Sequence, residues 1–396
     1  MSKYIDLLRE HNQEPEKKKK KSKKKGKSTA ENPYRHQDES DKALLDDMAA
    51  LLDEQESESV STMDDYDENQ DALIAEESIP EPNKAHQPSQ SHSQFGFDVS
   101  EWLSHIEQTL SSMFNAIQNH ESINISVLNE QLDTLFDQMN TNSNILDNLS
   151  LHAVQHASVE KGFNHEDLIR QSILKMVCAL KIGVHIGTKF DTLQTYAVAA
   201  MLHNIGFVSI PESLRSIATL SKDNLQQAKQ FALDYMASQD VQHEQLEFAI
   251  READERFDGS GSQGLEKQDI AWVARLVALL SAYESRIQST HQPLLPRDAI
   301  RELVKAHRKD FDPQIIKHLI DATSLYPVGT FVQLNTGEVG QVVNVHANSP
   351  LRPIVYITMD NLGETIPERK IDLKKQPNLM VKKSLFESSL KDLAAG

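Results

Sequence analysis

The chain has 396 residues, of which 39% are hydrophobic, and a formal net charge of −18. That acidic balance disfavours broad nucleic-acid binding by the whole molecule, and the single cysteine, Cys178, excludes an intramolecular disulfide. No apolar run of about 18 residues is present to cross a membrane, and no apolar signal-peptide core opens the chain, so the expected compartment is the cytoplasm.

Residues 1–95 read as a disordered charged tail and linker. Tyr4, Ile5, Leu7 and Leu8 allow one or two amphipathic helical turns; lysines then crowd the stretch from Lys17 to Lys27, acids dominate from Asp38 to Glu77, and Pro80 to Gln94 is rich in Pro, Ser, Gln and His. Low hydrophobicity and blocks of like charge do not repay the entropy of folding. The Lys17–Lys27 block reads as a solvated or self-pairing segment. Contact with nucleic acid or anionic lipid through counterion release is the alternative, although no aromatic residues are interleaved for base stacking.

Residues 96–150 turn helical. Trp102, Leu103, Ile106, Leu110, Met113, Phe114 and Ile117 recur at three- and four-residue steps and share one face, and Leu128, Leu132, Leu135, Phe136 and Met139 repeat the pattern. A helical hairpin is predicted, either capping the next domain or forming a homodimer. Residues 151–325 keep helical periods, and Cys178 sits in an apolar run as a core thiol. Residues 326–375 change period. Phe331 to Leu334, Val339 to Val345 and Ile354 to Ile357 read as short strands, with turns at Asn335-Thr336-Gly337 and Asn361-Leu362-Gly363. Residues 376–396 read as a C-terminal tail.

Within the helical region, Ala199-Ala200-Met201-Leu202-His203-Asn204-Ile205-Gly206 precedes Ile210-Pro211-Glu212. Glu255-Arg256-Phe257-Asp258-Gly259-Ser260-Gly261, then Arg275-Leu276-Val277-Ala278 through Tyr283-Glu284, then Phe311-Asp312-Pro313 follow in order. These landmarks resemble the HD-GYP family, whose HD helix reads close to AALLHDIGK and whose later segments read HHERxDGSGYP and RIxAVADxYDAL. The β-rich end from Tyr326-Pro327-Val328-Gly329 resembles an extension that follows some of those domains. The resemblance covers about residues 151–375. It implies a mainly α fold: an HD-type helical bundle with a small C-terminal β module and a disordered N-terminal tail.

The family holds divalent metal ions with histidines and aspartates, because neutral imidazole is a good ligand and a carboxylate can bridge two cations. Carried over residue by residue, that ligand set is largely replaced. The first histidine slot falls on Gln171, with His165 out of register. His203 is kept, but the adjacent aspartate is Asn204. The next histidine falls near Phe231. The paired histidines become Ala253 and Asp254, and the late aspartate becomes Ser281. The tyrosine and proline of GYP become Ser262 and Gln263. The phosphate-gripping cations fall on Ser216 or Ile217 and on Thr290-His291-Gln292-Pro293, with Arg286 and Arg297 nearby. His203 alone reads as a core histidine on a buried helix, satisfied by one hydrogen bond, rather than as a metal ligand, and Glu255 and Arg256 as residues that hold a loop.

The expectation is a catalytically degenerate relative serving as a regulatory or interaction module in cyclic di-GMP-type signalling, with no intact metal site and no cofactor. A metal-dependent phosphodiesterase with an atypical ligand set, or a nucleotide sensor without turnover, are the alternatives. Only the first of these needs a divalent metal. Protein partners are expected, of unspecified identity.

Overall fold

A computed structural model describes residues 35–61, 97–142, 144–157, 165–212, 221–288, 293–346 and 349–393. Helix α1 (Arg35–Ser61) comes first. Helices α2 (Val99–Gln118) and α3 (Ser126–Met139) form the hairpin. Asp98 starts α2 by accepting from the amides of Ser100 and Glu101, the usual way to satisfy orphan N–H groups. The indole of Trp102 donates to the Gln131 carbonyl at 3.0 Å and ties the two helices together. The apolar faces of both are buried within the chain, so a dimer through this hairpin has to use its polar faces.

Helices α4 (Ile145–Ala157), α5 (His165–His185), α6 (Phe190–Leu202), α7 (Lys222–Ser238), α8 (Glu244–Glu252), α9 (Trp272–Ile287), α10 (Pro296–Lys305) and α11 (Pro313–Thr323) follow. Helix α5 is the axis of the bundle and packs against α2, α4, α6, α9 and α11. Its Met176-to-Ile182 stretch is buried on every side, Cys178 included, which fits a helix inside a core rather than on its surface. Burial pushes the Cys178 thiol up to about 12, so it stays protonated.

Two of the resembling segments meet as scaffold. Arg275, at the start of α9, bonds Asp312 at 2.5 Å, and Asp312 also caps α11 through the Gln314 amide. Between α8 and α9, the buried carboxylate of Glu255 accepts from Ser262 Oγ, the Gln263 amide and the Leu265 amide at 2.7–3.0 Å. Gly261 allows this loop to close, because a Cβ there would lie 2.4 Å from Glu255 Cα.

The C-terminal module is an antiparallel sheet of β1 (Phe331–Leu334), β2 (Val339–Asn344), β3 (Ile354–Met359), β4 (Thr365–Asp372) and β5 (Val381–Leu385), in spatial order β4-β3-β2-β1-β5, and is followed by α12 (Ser388–Leu393). It begins where the Leu325 amide and the Ser324 hydroxyl both donate to the Pro350 carbonyl.

Two sequence expectations need correction. The tail expected over residues 1–95 contains α1; the rest of that stretch, the Lys17–Lys27 block included, lies outside the described residues. Asp41, Leu45, Met48 and Leu52 line one buried face of α1, a helical period masked by the acidic residues around it. The β module does not stop at 375 either. β5 pairs with β1, bringing part of the expected C-terminal tail into the sheet. Its Val-Lys-Lys-Ser-Leu text is too polar to read as a strand, and the register shift between Gln333 and Leu334 hides its partner.

Candidate functional site

A cavity of about 220 Å³ opens between α5, the α6 C-terminus, α7, the end of α8 and α9. Gln171, His203, Asn204, Ala253, Asp254 and Ser281 all line it. Six positions spread over 111 residues of sequence thus converge on one space. Each arrives by ordinary local structure. Gln171 is on α5. His203 and Asn204 sit where α6 ends and passes into a 3-10 turn, Ile205–Ser209. Gly206 in that turn lets α7 approach closely, since a Cβ would meet the Ala228 carbonyl oxygen at 1.9 Å. Ala253 and Asp254 follow α8 directly, and α9 presents Ser281, Glu284, Ser285 and Gln288 at i, i+3, i+4 and i+7, one helical stripe.

Phe231 is the exception. It is absent from the lining, and its ring meets His120 edge-on with centroids 5.4 Å apart. From α7 the lining residues are Leu225, Ala228 and Lys229. A step of two residues turns a side chain by about 200° around a helix, so Lys229, not Phe231, faces the cavity.

The donors here are committed to one another. His203 is 8% exposed. Its Nδ1 lies 3.1 Å from the Ala200 carbonyl, which only accepts, so Nδ1 carries the proton. Nε2 is then the lone-pair nitrogen, and it sits 3.0 Å from Ser281 Oγ, whose hydroxyl donates to it. Burial, with the Lys175 ammonium nearby, holds this imidazole well below its ordinary pKa, so it is neutral. The Asp254 carboxylate accepts from Lys229 Nζ at 2.7 Å. Among the described residues, no group of three or more His, Cys, Asp or Glu side chains is arranged to hold a metal ion.

Behind this layer lies a buried pair that sequence reading did not single out. Lys175 on α5 is 1% exposed and Glu284 on α9 is 4% exposed. Burial drives the Lys175 ammonium down to about 8 and the Glu284 carboxyl up to about 7, each partly offset by the other's charge. Lys175 Nζ and Glu284 Oε1 have no hydrogen-bond partner. The readable signal for Lys175 was a lone charge inside the apolar text Ile-Leu-Lys-Met-Val. Lys229, within Gln-Gln-Ala-Lys-Gln, looked like any surface lysine.

The model described as an HD domain matches residues 141–315. That stretch of the chain is an HD domain. A second model, described as a KOW domain associated with HD domain, matches residues 331–393 and so spans the sheet through β5 and α12. The chain is 24% identical over 209 residues to the cyclic di-GMP phosphodiesterase PdeB of Borreliella burgdorferi, covering 51% of this chain and 55% of that protein. It is 27% identical over 214 residues to the cyclic di-GMP phosphodiesterase PA4108 of Pseudomonas aeruginosa, covering 50% of each. It therefore spans about half the length of the curated relatives it matches. Among solved structures, Bd1817, a HDG"Y"P protein from Bdellovibrio bacteriovorus, aligns over 58% of this chain and 73% of its own at 18% identity and a TM-score of 0.45.

Of the positions expected to grip phosphates, residues 213–220 and 289–292 lie outside the described residues. Arg286 bonds Glu302 and the Ala282 carbonyl, and Arg297 bonds the Leu52 carbonyl; neither lines the cavity. The Ser262 hydroxyl and the Gln263 backbone amide donate to Glu255, and the Gln263 side chain donates to the Arg251 carbonyl. Among the described residues, no helix is long and apolar enough to cross a membrane.

Proposed function

We propose that this HD domain is catalytically silent and works as a regulatory or interaction module in cyclic di-GMP-type signalling. One observation carries the reading. The cavity that the HD motif builds is internally neutralised, with Ser281 occupying the free lone pair of His203 and Lys229 occupying the carboxylate of Asp254. A hydrolytic centre needs about three protein ligands and an open position for water, and a bound cation is what lowers the water pKa enough to make a nucleophile. Gln171, Asn204 and Ala253 supply neutral amides and a methyl group instead. The donor set does not fit a catalytic metal, so no hydrolytic step is assigned to it. The signalling context comes from the curated relatives, both named as cyclic di-GMP phosphodiesterases.

A nucleotide sensor without turnover is the second reading. Glu284 Oε1 and Gln288 Nε2 line the cavity side of α9 with no hydrogen-bond partner, and Lys229 and Arg256 place cations on the wall. The two readings separate in one set of measurements on the full chain: metal content by elemental analysis, a cyclic di-GMP hydrolysis assay, and calorimetric titration with cyclic di-GMP. We expect no stoichiometric metal and no linear product. Binding without turnover selects the sensor. Metal-dependent hydrolysis that His203→Ala abolishes overturns the proposal.

A further inference from the structure

Helix α1 lies outside the part of the chain that matches the HD domain, and it packs where that part ends, on α10 within it and on α11, which begins at its last residues. Its main neighbours are α10 and α11. Leu45, Met48 and Leu52, at i, i+3 and i+7, are buried on that side. Cations ring the contact. Lys305 bonds Asp53 at 2.5 Å, Arg308 bonds Asp46 at 2.7 Å and the Lys42 carbonyl at 3.0 Å, and Arg297 bonds the Leu52 carbonyl at 2.6 Å. The apolar stripe and its acidic neighbours on α1 are thus matched by an apolar face edged with three basic side chains.

We propose that the face formed by α10 and α11 is a docking surface for acidic amphipathic helices of partner proteins, and that α1 occupies it in cis as a competitor. Charge complementarity selects the partner: leucine or methionine at i, i+3 and i+7, with a carboxylate one residue after the first and the last of these. The contact is suited to exchange. The two ion pairs are a third to a half exposed, where such pairs contribute little and are screened by salt. Only one helical stripe is buried, and a single helix of this kind has little stability without its docking surface. The 35 residues between Ser61 and Phe97 are enough chain for α1 to leave without moving the hairpin. Because α1 belongs to the same chain as the face it covers, its docking is intramolecular and independent of protein concentration. A free helix of equal intrinsic affinity therefore binds only once α1 is weakened.

The probe is a fluorescein-labelled peptide of residues 35–61, titrated by anisotropy into the full chain and into its Leu45→Asp/Leu52→Asp variant. We expect the variant to bind the peptide at least tenfold more tightly than the wild type, and added salt to weaken that binding only severalfold, as partly exposed ion pairs around an apolar stripe should. Equal binding to both proteins overturns the proposal, as does no binding to a variant whose near-ultraviolet circular dichroism is native. If the double variant does not fold, hydrogen exchange on the surface variant Arg308→Glu decides. Protection must fall across residues 44–52 while α9 keeps its own, and unchanged protection of 44–52 overturns the proposal. A concentration-dependent dimer of the wild type that the peptide dissolves would make a second copy the occupant and overturn the cis arrangement.

Discussion

Two buried glutamates, one in the loop after α8 and one on α9, are treated oppositely by the fold. Glu255 is 2% exposed and its carboxylate accepts from three donors. Glu284 is 4% exposed, leaves Oε1 unpartnered and is pushed up to about 7. The first is a structural charge, fully satisfied because an unmet buried charge is costly. The second faces a cavity with no such provision. The same residue type is thus held by three donors in the loop and left with an unpartnered oxygen at the cavity wall.

The largest effect should come from the satisfied carboxylate. Glu255→Ala leaves two amides and a hydroxyl without an acceptor, at about 1–3 kcal/mol for each group that stays buried. We expect a loss of about 3–5 kcal/mol in urea unfolding. Glu284→Ala should cost less; an equal loss would erase the contrast between the two regions.

Next is the buried pair. Replacing Lys175 and Glu284 together, as Lys175→Met/Glu284→Leu, should be neutral or stabilising by about 1–4 kcal/mol, because two desolvated groups, with Lys175 Nζ and Glu284 Oε1 unpartnered, are exchanged for apolar packing. Glu284→Leu alone should destabilise, since it strands the lysine. A double variant less stable than either single one would show that the pair is structural after all.

The pH dependence is smaller and sharper. Glu284 has a folded pKa raised from 4.5 to about 7, so its contribution is present below about 4.5 and is lost as pH rises to about 7. Lys175 is lowered from 10.5 to about 8, so its cost persists below about 8 and is relieved between about 8 and 10.5. The stability difference between wild type and Glu284→Gln, followed by urea unfolding across pH 4–8, should move against the wild type as pH rises. A flat difference would remove Glu284 from the buried, unsatisfied class.

The smallest effect expected is none. Asn204→Asp restores one carboxylate while the other slots stay filled, so cyclic di-GMP hydrolysis should remain at background with added manganese. Measurable turnover would mean that the cavity is one residue from activity.

The order of landmarks from Ala199 to Pro313 was enough to read the helical domain, because each segment carries a turn or a buried contact that the fold needs: Gly206 under α7, Glu255 in its loop, Asp312 capping α11. Six of the candidate positions converge on one cavity for the same reason. Phe231 was misplaced because it was reached by counting across a loop, and on a helix a small slip in register changes the face. Lys229 and Lys175 were missed because a lysine's role depends on what lies opposite it, and no local pattern records that. Helix α1 escaped notice because its stripe of apolar residues is sparse and its stability comes from a surface more than 240 residues away in sequence.

The Ser281–His203–Ala200 chain has a use beyond the question of metals. A neutral imidazole buried in this way slows exchange of its Nδ1 proton with water, so that proton should give an observable imidazole N–H signal, downfield of most backbone amides, in the proton magnetic resonance spectrum. Anything that enters the cavity and draws on Nε2 must first displace the serine hydroxyl, and the signal would shift with it. The protein thus carries a spectroscopic gauge at the centre of its cavity, one that reports occupancy without a label and independently of turnover.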